Sequence, residues 1–288
     1  MEPIATRVFR QFQRLVLEEA GISLTDAKRA LLVGRLSRRL RELGLASYGD
    51  YLARVVEDDE ERVRMLDAIA TNETRFFREP RQLEFLRDEV FPRWAREGAE
   101  GARPRRVRVW SAGCATGEEA YSLAMLLLSV FGPGWDLGIL ATDLSTKALA
   151  KARAAVWPVE RAAQIPEPYR KAYMLRGTGP EAGRMKAGPE LRALVDFRRL
   201  NLAAERWETE GPFDVLLCRN VLIYFDADGK RRVIARLLDR LAPGGYFLVG
   251  HAESLNGLSD RVRPARPSVY AAVPAPAARD SRAERAPA

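Results

Sequence analysis

Histidine and cysteine are almost missing from this sequence. One histidine, His251, and two cysteines, Cys114 and Cys218, are spread over 288 residues. The cysteines sit in apolar stretches far apart, and neither belongs to a C-x-x-C pair. That scarcity argues against a zinc site or a disulfide framework, and nothing around either cysteine supports a Cys–His nucleophilic pair. Long apolar runs are lacking too. The longest, Leu123 to Phe131, is far too short for a bilayer and reads as a buried helix, so no direct membrane insertion is expected. Met1 to Arg10 has no apolar h-region of a secretion signal, which makes the cytoplasm the expected location.

What is present is core-forming material and positive charge. Hydrophobic residues make up 47% of the chain, enough for one large domain or two smaller ones. The net charge of +8 fits either an acidic partner or a solvated basic surface.

The texture changes along the chain. Val8, Phe9, Phe12, Leu15 and Val16 recur at helical spacing, as do Leu32, Leu36, Leu40 and Leu43 before Gly44, a natural helix stop. Ser47 with Asp50 opens a third helix, and a fourth runs from about Glu60 to Ala70. Glu79-Pro80 starts a further helix, followed by an exposed loop from Ala95 to Arg106. Strands and helices then alternate. Val107–Trp110, Gly138–Thr142, Asp214–Cys218 and Tyr246–Gly250 read as strands, and Glu118–Phe131, Thr146–Ala155 and Lys230–Leu241 as helices, the last closed by Pro243-Gly244-Gly245. Such alternation predicts a mainly parallel sheet covered on both faces. Val269–Val273 is the expected edge strand. The stretch from Arg176 to Leu202, rich in glycine, reads as a small hairpin insertion or as a plain loop. Pro274 to Ala288 is Ala, Pro and charge, and is expected to be disordered.

Four segments carry candidate chemistry. Val107 to Glu119 takes a strand through a turn containing Gly113 and Gly117 into a helix that begins with Glu118 and Glu119. This is not the G-x-G-x-x-G pyrophosphate pattern, and the acids would repel a diphosphate; they suit a cationic or zwitterionic ligand. Ile139 to Asp143 is an apolar strand ending in an acid, placed to accept both hydroxyls of a ribose; alternatively Asp143 or Ser145 simply caps the next helix. Phe213 to Phe225 puts Arg219 and Asn220 at the carboxyl end of a buried strand, with Tyr224 in the turn beyond. Thr71 to Glu79 lies at the domain junction, where clefts form, and offers Asn72, Thr74 and Arg78.

Together these segments resemble the chemotaxis-receptor protein-glutamate methyltransferases, the CheR family. The likeness rests on Thr71-Asn-x-Thr-x-Phe-Phe-Arg-Glu79, Trp110-Ser-Ala-Gly-x-x-Thr-Gly-Glu-Glu119, Ala141-Thr-Asp143, Arg176-Gly-Thr-Gly-Pro180 and Cys218-Arg-Asn-Val-x-Ile-Tyr-Phe225, and it reaches to about Val273. It implies an all-α N-terminal domain at 1–75. A Rossmann-like α/β methyltransferase domain would follow at 76–273, carrying a small antiparallel β subdomain at about 176–200. It implies S-adenosylmethionine as cofactor, with S-adenosylhomocysteine as product, held by Asn72, Thr74, Arg78, Glu118, Asp143, Asn201, Leu202, Arg219 and Asn220, beside the Gly113 turn. It places Arg78 and Tyr224 near the reacting methyl. The implied acceptor is a glutamate on a methyl-accepting chemoreceptor cytoplasmic domain, and the enzyme is expected to be a monomer.

The charges offer a docking face for such a partner. Lys28, Arg29, Arg35, Arg38, Arg39 and Arg41 have no acid among them, and Lys28, Arg35 and Arg39 share one helix face, with Arg38 beside it. Reversing Arg35 and Arg39 to Glu is expected to slow acceptor methylation and spare cofactor binding. One rival is a nucleic-acid methyltransferase, suggested by the basic charge. It is disfavoured because the strand end reads Cys218-Arg-Asn-Val rather than Asn/Asp-Pro-Pro-aromatic, and no Pro-Cys nucleophile is present, so no nucleic-acid partner is expected. The other rival is a non-catalytic receptor-binding module that kept the fold.

Overall fold

The computed structural model describes residues 3–209 and 211–273; the tail 274–288, expected to be disordered, lies outside the described residues. Four helices come first: α1 (Thr6–Ala20), α2 (Arg29–Glu42), α3 (Tyr48–Glu57) and α4 (Asp59–Ile69). Their apolar stripes close one core around Phe9, Phe12, Leu36, Leu40, Tyr51 and Met65. Local chemistry sets their ends. Gly44, at φ +66°, follows α2, and Ser47 Oγ accepts from Asp50 N (3.1 Å) at the start of α3.

Two of the expected docking arginines are spent inside this bundle. The buried Glu61 carboxylate takes both Nε (2.8 Å) and Nη2 (2.5 Å) of Arg39, and the Tyr51 hydroxyl donates to it at 2.9 Å. Arg35 donates to the carbonyls of Ile69 and Ala70 and to Thr71 Oγ1. Arg38 is strongly exposed, and it pairs with Glu42 on its own helix. On the basic face, packing against α4 thus makes Arg35 and Arg39 internal ties as well.

Burial pushes the Glu61 carboxyl up, but the hydrogen bonds from Arg39 and Tyr51 outweigh it and hold the group below the usual carboxylate range. A depressed folded-state value adds stability that is present above the ordinary carboxylate range and is lost as pH falls through the folded value. Arg39→Ala is expected to destabilise the bundle by about 2–3 kcal/mol in urea unfolding at neutral pH and to flatten this acid limb. Arg38→Ala should change little.

A helix broken by one wide turn follows, with α5 (Pro80–Phe85) and α6 (Phe91–Ala99) flanking a π turn at Leu86–Val90. The α/β part then runs β1 (Arg106–Ala112), α7 (Glu118–Val130), β2 (Asp136–Asp143), α8 (Thr146–Ala154), β3 (Val156–Pro158), α9 (Glu167–Tyr173), β4 (Met174–Arg176), β5 (Arg184–Ala187), α10 (Pro189–Leu194), β6 (Val195–Arg199), β7 (Phe213–Cys218), α11 (Ala227–Leu238), β8 (Leu241–Val249), β9 (Val262–Arg266) and β10 (Val269–Ala272). Among the described residues seven strands form one sheet in the order β6-β2-β1-β7-β8-β10-β9. It is parallel from β6 to β8, and β10 and β9 are antiparallel. Alternation along each strand feeds two cores: Val215 and Leu217 point to one face, Leu216 and Cys218 to the other.

Three expectations need correction. The small antiparallel sheet, β3-β5-β4, draws its strands from 156–187, whereas Val195–Arg199 joins the edge of the main sheet. The Pro243-Gly244-Gly245 segment does not close a helix. Asp226 caps α11, accepting from Gly229 N (2.7 Å), the helix ends at Leu238, and the Pro-Gly-Gly segment bulges within β8 opposite Asp214. Finally, β10 is an inner strand. The edge is β9, where Pro264, having no N–H, suits an unpaired side.

Candidate active site

The cavity of about 250 Å³ that concerns function opens at the carboxyl ends of β1, β2 and β7, beneath the helical bundle. Ligands of wound α/β sheets bind at this edge, because the βα turns there present free backbone groups. The bundle forms its roof. Ser23 N donates to Tyr224 O (2.8 Å), Asn201 Nδ2 to Glu19 O (2.6 Å), and Thr146 Oγ1 to Asp67 Oδ2 (2.6 Å). Ile22, Leu24 and Lys28 thereby reach the cavity wall.

The floor is the turn after β1. Gly113 sits at φ +88°, and a Cβ there would lie 2.3 Å from Val221 Cγ2, so only glycine fits. Gly113 N and Cys114 N both donate to Thr142 O, which locks this turn to β2. Asp143 binds the same turn from the end of β2: Oδ2 accepts from Ala115 N and Oδ1 from Ser145 N, each at 2.8 Å. The helix cap is Ser145, whose Oγ accepts from Ala148 N (3.1 Å), so Asp143 is free of that duty. Burial raises the Asp143 carboxyl from its ordinary value, against those backbone donors. Each of its oxygens keeps lone-pair capacity toward the cavity.

The side wall is the loop after β7, and its supports are three acids: Glu79 and Glu253, which sequence reading missed, and Glu119, whose pairing with Arg219 it missed. Arg219 is buried between Glu79 and Glu119: Nη1 lies 3.1 Å from Glu119 Oε2, Nη2 3.2 Å from Glu79 Oε2, and Nη2 also donates to Arg78 O. Glu79 itself adopts φ +56° and accepts from His251 N (3.2 Å). Glu253, also buried, accepts from the backbone N–H of Gly250, Asn220 and Ile223 and so shapes the turn carrying Asn220 at φ +60°. An acid three residues past the expected strand Tyr246–Gly250 was the available signal for Glu253. Glu79 and Glu119 carried none beyond their motifs.

Most of the expected site residues meet here. Lys28, Asn72, Thr74, Arg78, Gly113, Asp143, Asn201, Leu202, Arg219, Asn220 and Tyr224 all line the cavity. Glu118 does not. Its Oε2 accepts from Thr116 Oγ1 (2.6 Å) outside the cavity, and Glu119 stands on the wall instead, since successive helical residues point about 100° apart. Arg35, Arg38 and Arg39 also lie away from the lining. The Asn201 side chain is already engaged, with Nδ2 on Glu19 O and Oδ1 accepting from Ala203 N. Burial pushes the Cys114 and Cys218 thiols well up, so neither supplies a thiolate. No cluster of potential metal ligands occurs among the described residues.

The cavity suits a nucleoside with a cationic arm. Leu144, Leu200 and Leu202 make apolar wall, Asp143 an acceptor, and Asn220 Oδ1 is buried without any hydrogen-bond partner. An orphan acceptor is costly unless a ligand donor reaches it.

A Rossmann-like sheet with this acceptor-lined cavity defines an S-adenosylmethionine-dependent methyltransferase. Comparison with known proteins narrows the class. The family described as "CheR methyltransferase, SAM binding domain" matches residues 72–270, and "CheR methyltransferase, all-alpha domain" matches residues 7–70. The chain belongs to the CheR methyltransferase family. It is 40% identical over 264 residues to chemotaxis protein methyltransferase 2 of Pseudomonas aeruginosa, covering 91% of both chains. It is 38% identical over 269 residues to the chemotaxis protein methyltransferase of Escherichia coli, covering 91% of this chain and 90% of that one. Its activity is S-adenosylmethionine-dependent methylation in chemotactic adaptation. No helix among the described residues is long and apolar enough to cross a membrane.

Proposed function

We propose that this protein esterifies glutamate side chains on the cytoplasmic domain of a chemoreceptor, leaving S-adenosylhomocysteine and glutamate methyl esters. One observation carries the reading: besides Arg219, which is paired with Glu79 and Glu119, the cavity wall holds two cations without a carboxylate partner, Lys28 and Arg78, against one unpaired acid, the exposed Glu73. Lys28 comes from the roof, its Nζ 5.7 Å from the Tyr224 ring centre, and Arg78 comes from the junction segment. Arg78 uses Nη1 on Glu73 O (3.1 Å), and most of its fork remains for an anion. No histidine or cysteine lines the cavity among the described residues. Asp143 is tied to two backbone donors, and Glu119 to Arg219 and Ser111. A glutamate acceptor, with an ordinary value of about 4.3, is already ionised near neutrality and needs no base, whereas an ammonium acceptor would.

When bound, S-adenosylmethionine supplies a methyl group activated by its sulfonium. The chain's own residues supply placement. Asp143 receives the ribose hydroxyls, Asn220 Oδ1 the methionyl ammonium, and the leucines cover the base. Asn72 and Thr74 border the cofactor from the junction. Arg78 anchors the acceptor carboxylate, Tyr224 closes the opposite side, and the bundle excludes water. In this reading residues 1–75 face the receptor, residues 76–273 carry the chemistry, and the enzyme works as a monomer. Exposed Leu31 and Ile223 on the cavity rim give the acceptor segment an apolar seat.

The test is transfer of labelled methyl from S-adenosylmethionine to purified receptor cytoplasmic fragments. The label should leave as methanol in mild alkali. Alkali-stable label, or label entering nucleic acid instead, would overturn the reading. Arg78→Ala is expected to lower turnover about 100-fold while changing cofactor affinity little, as misplacement of a reactant does. Equal losses in calorimetric affinity and in turnover would remove Arg78 from the anchoring role.

A further inference from the structure

We propose that Arg35 is a positioning residue of the cofactor cavity. It lies on α2, away from the cavity, yet its guanidinium is committed to the segment that builds one wall. Nη1 donates to the carbonyls of Ile69 and Ala70, the latter at 2.7 Å, and Nη2 to Thr71 Oγ1 at 2.9 Å. The two carbonyls end α4, where the helix leaves acceptors unsatisfied and a cation is favourably placed. Ala70 turns out of the helix at φ −58°, ψ 139°, so these bonds set the direction in which the chain departs.

What departs is residues 71–75, which have neither helix nor strand. This segment carries Asn72 and Thr74 to the cavity and leads to Arg78. With no ladder to hold it, side-chain ties must do so. Downstream they are Asn72 Nδ2 to Ser145 Oγ (3.2 Å) and Arg161 Nη1 to Thr74 O (3.1 Å). Arg35 is the tie at the upstream end, and it links the helical bundle directly to the cofactor wall. A planar fork spanning two carbonyls and a hydroxyl fixes orientation as well as distance, which an ammonium does not.

The inference rests on Asn72 and Thr74 bordering the cofactor, not on the identity of the methyl acceptor. The experiment is therefore a calorimetric titration of the full chain with S-adenosylmethionine alone, followed by receptor-fragment methylation. Arg35→Ala should weaken cofactor binding about tenfold, the equivalent of one charge-assisted hydrogen bond, and Arg35→Lys should fall between it and the parent. Arg54→Ala, an exposed change on α3, should bind as the parent does. Because Arg35 acts through the junction, Arg35→Ala combined with Asn72→Ala should lose less than the sum of the two single losses; a general packing defect would add. Should Arg35→Ala fail to melt cooperatively, the Arg35→Lys titration decides. Parent-like cofactor affinity in the variants, with or without a raised KM for receptor fragments, would overturn the proposal.

Discussion

Arg219→Ala is expected to destabilise the α/β domain by about 3–5 kcal/mol and to weaken cofactor binding at least tenfold. The Arg219 side chain is 1% exposed and stands between the buried Glu79, at 8%, and Glu119, at 12% on the cavity wall. Removing the cation leaves both acids out of water with no counter-charge, a loss far larger than that of any surface pair. The binding defect follows from position. Arg219 also holds the Arg78 carbonyl and precedes Asn220, so two wall residues lose their support together. Stability and binding separate in a triple variant. Arg219→Met with Glu79→Gln and Glu119→Gln removes the stranded charges and should recover much of the stability, while the cofactor defect persists. Urea unfolding and calorimetry read the two effects. An Arg219→Ala protein within 1 kcal/mol of the parent would show that water reaches the acids and that the triad is not a buried unit.

Gly113→Ala should weaken cofactor affinity about 100-fold, the largest binding effect expected of any single methyl group here. The backbone at φ +88° resists an L side chain by about 1–2 kcal/mol. The added Cβ also meets Val221 Cγ2 at 2.3 Å, and Val221 adjoins Asn220, so relief of the clash moves the orphan acceptor. Turn and loop are thus displaced at the point where floor meets side wall. Gly113→Ala with Val221→Ala removes the collision and keeps the backbone strain. It should recover part of the affinity, and the recovered part measures the collision. Parent-like binding by Gly113→Ala alone would mean that the turn and the Asn220 loop move independently of the cofactor.

The order of motifs along the chain was legible because each is a local pattern. The strand, glycine turn and helix from Val107 to Glu119 needed only an apolar run, two glycines and a following helix, and the structure has β1, the turn and α7 there. Asp143 was legible as a strand-end acid, but its alternative role as a helix cap was not decidable from spacing. The structure gives the cap to Ser145. Misreadings arose where pairing outweighed local preference. Pro243-Gly244-Gly245 has the composition of a helix stop, yet hydrogen bonding to β7 draws it into β8 as a bulge. The small sheet starts at Val156, well before the glycine-rich stretch that announced it, because β3 finds its partner some thirty residues later, at Arg184 to Lys186.

Sequence by itself determined the class of chemistry: ordered local motifs named a cofactor and a fold, while the scarcity of histidine and cysteine argued against a zinc site or a disulfide framework. Only the tertiary structure decided which of two adjacent acids, Glu118 or Glu119, stands on the cavity wall, and which arginines of α2 are free. It alone assembled Glu79, Glu119 and Arg219, which lie 140 positions apart at their extremes. The physical reason is range. Turn conformation and helical periodicity are set by neighbours along the chain, whereas a buried charge is defined by partners that only packing brings within about 3 Å.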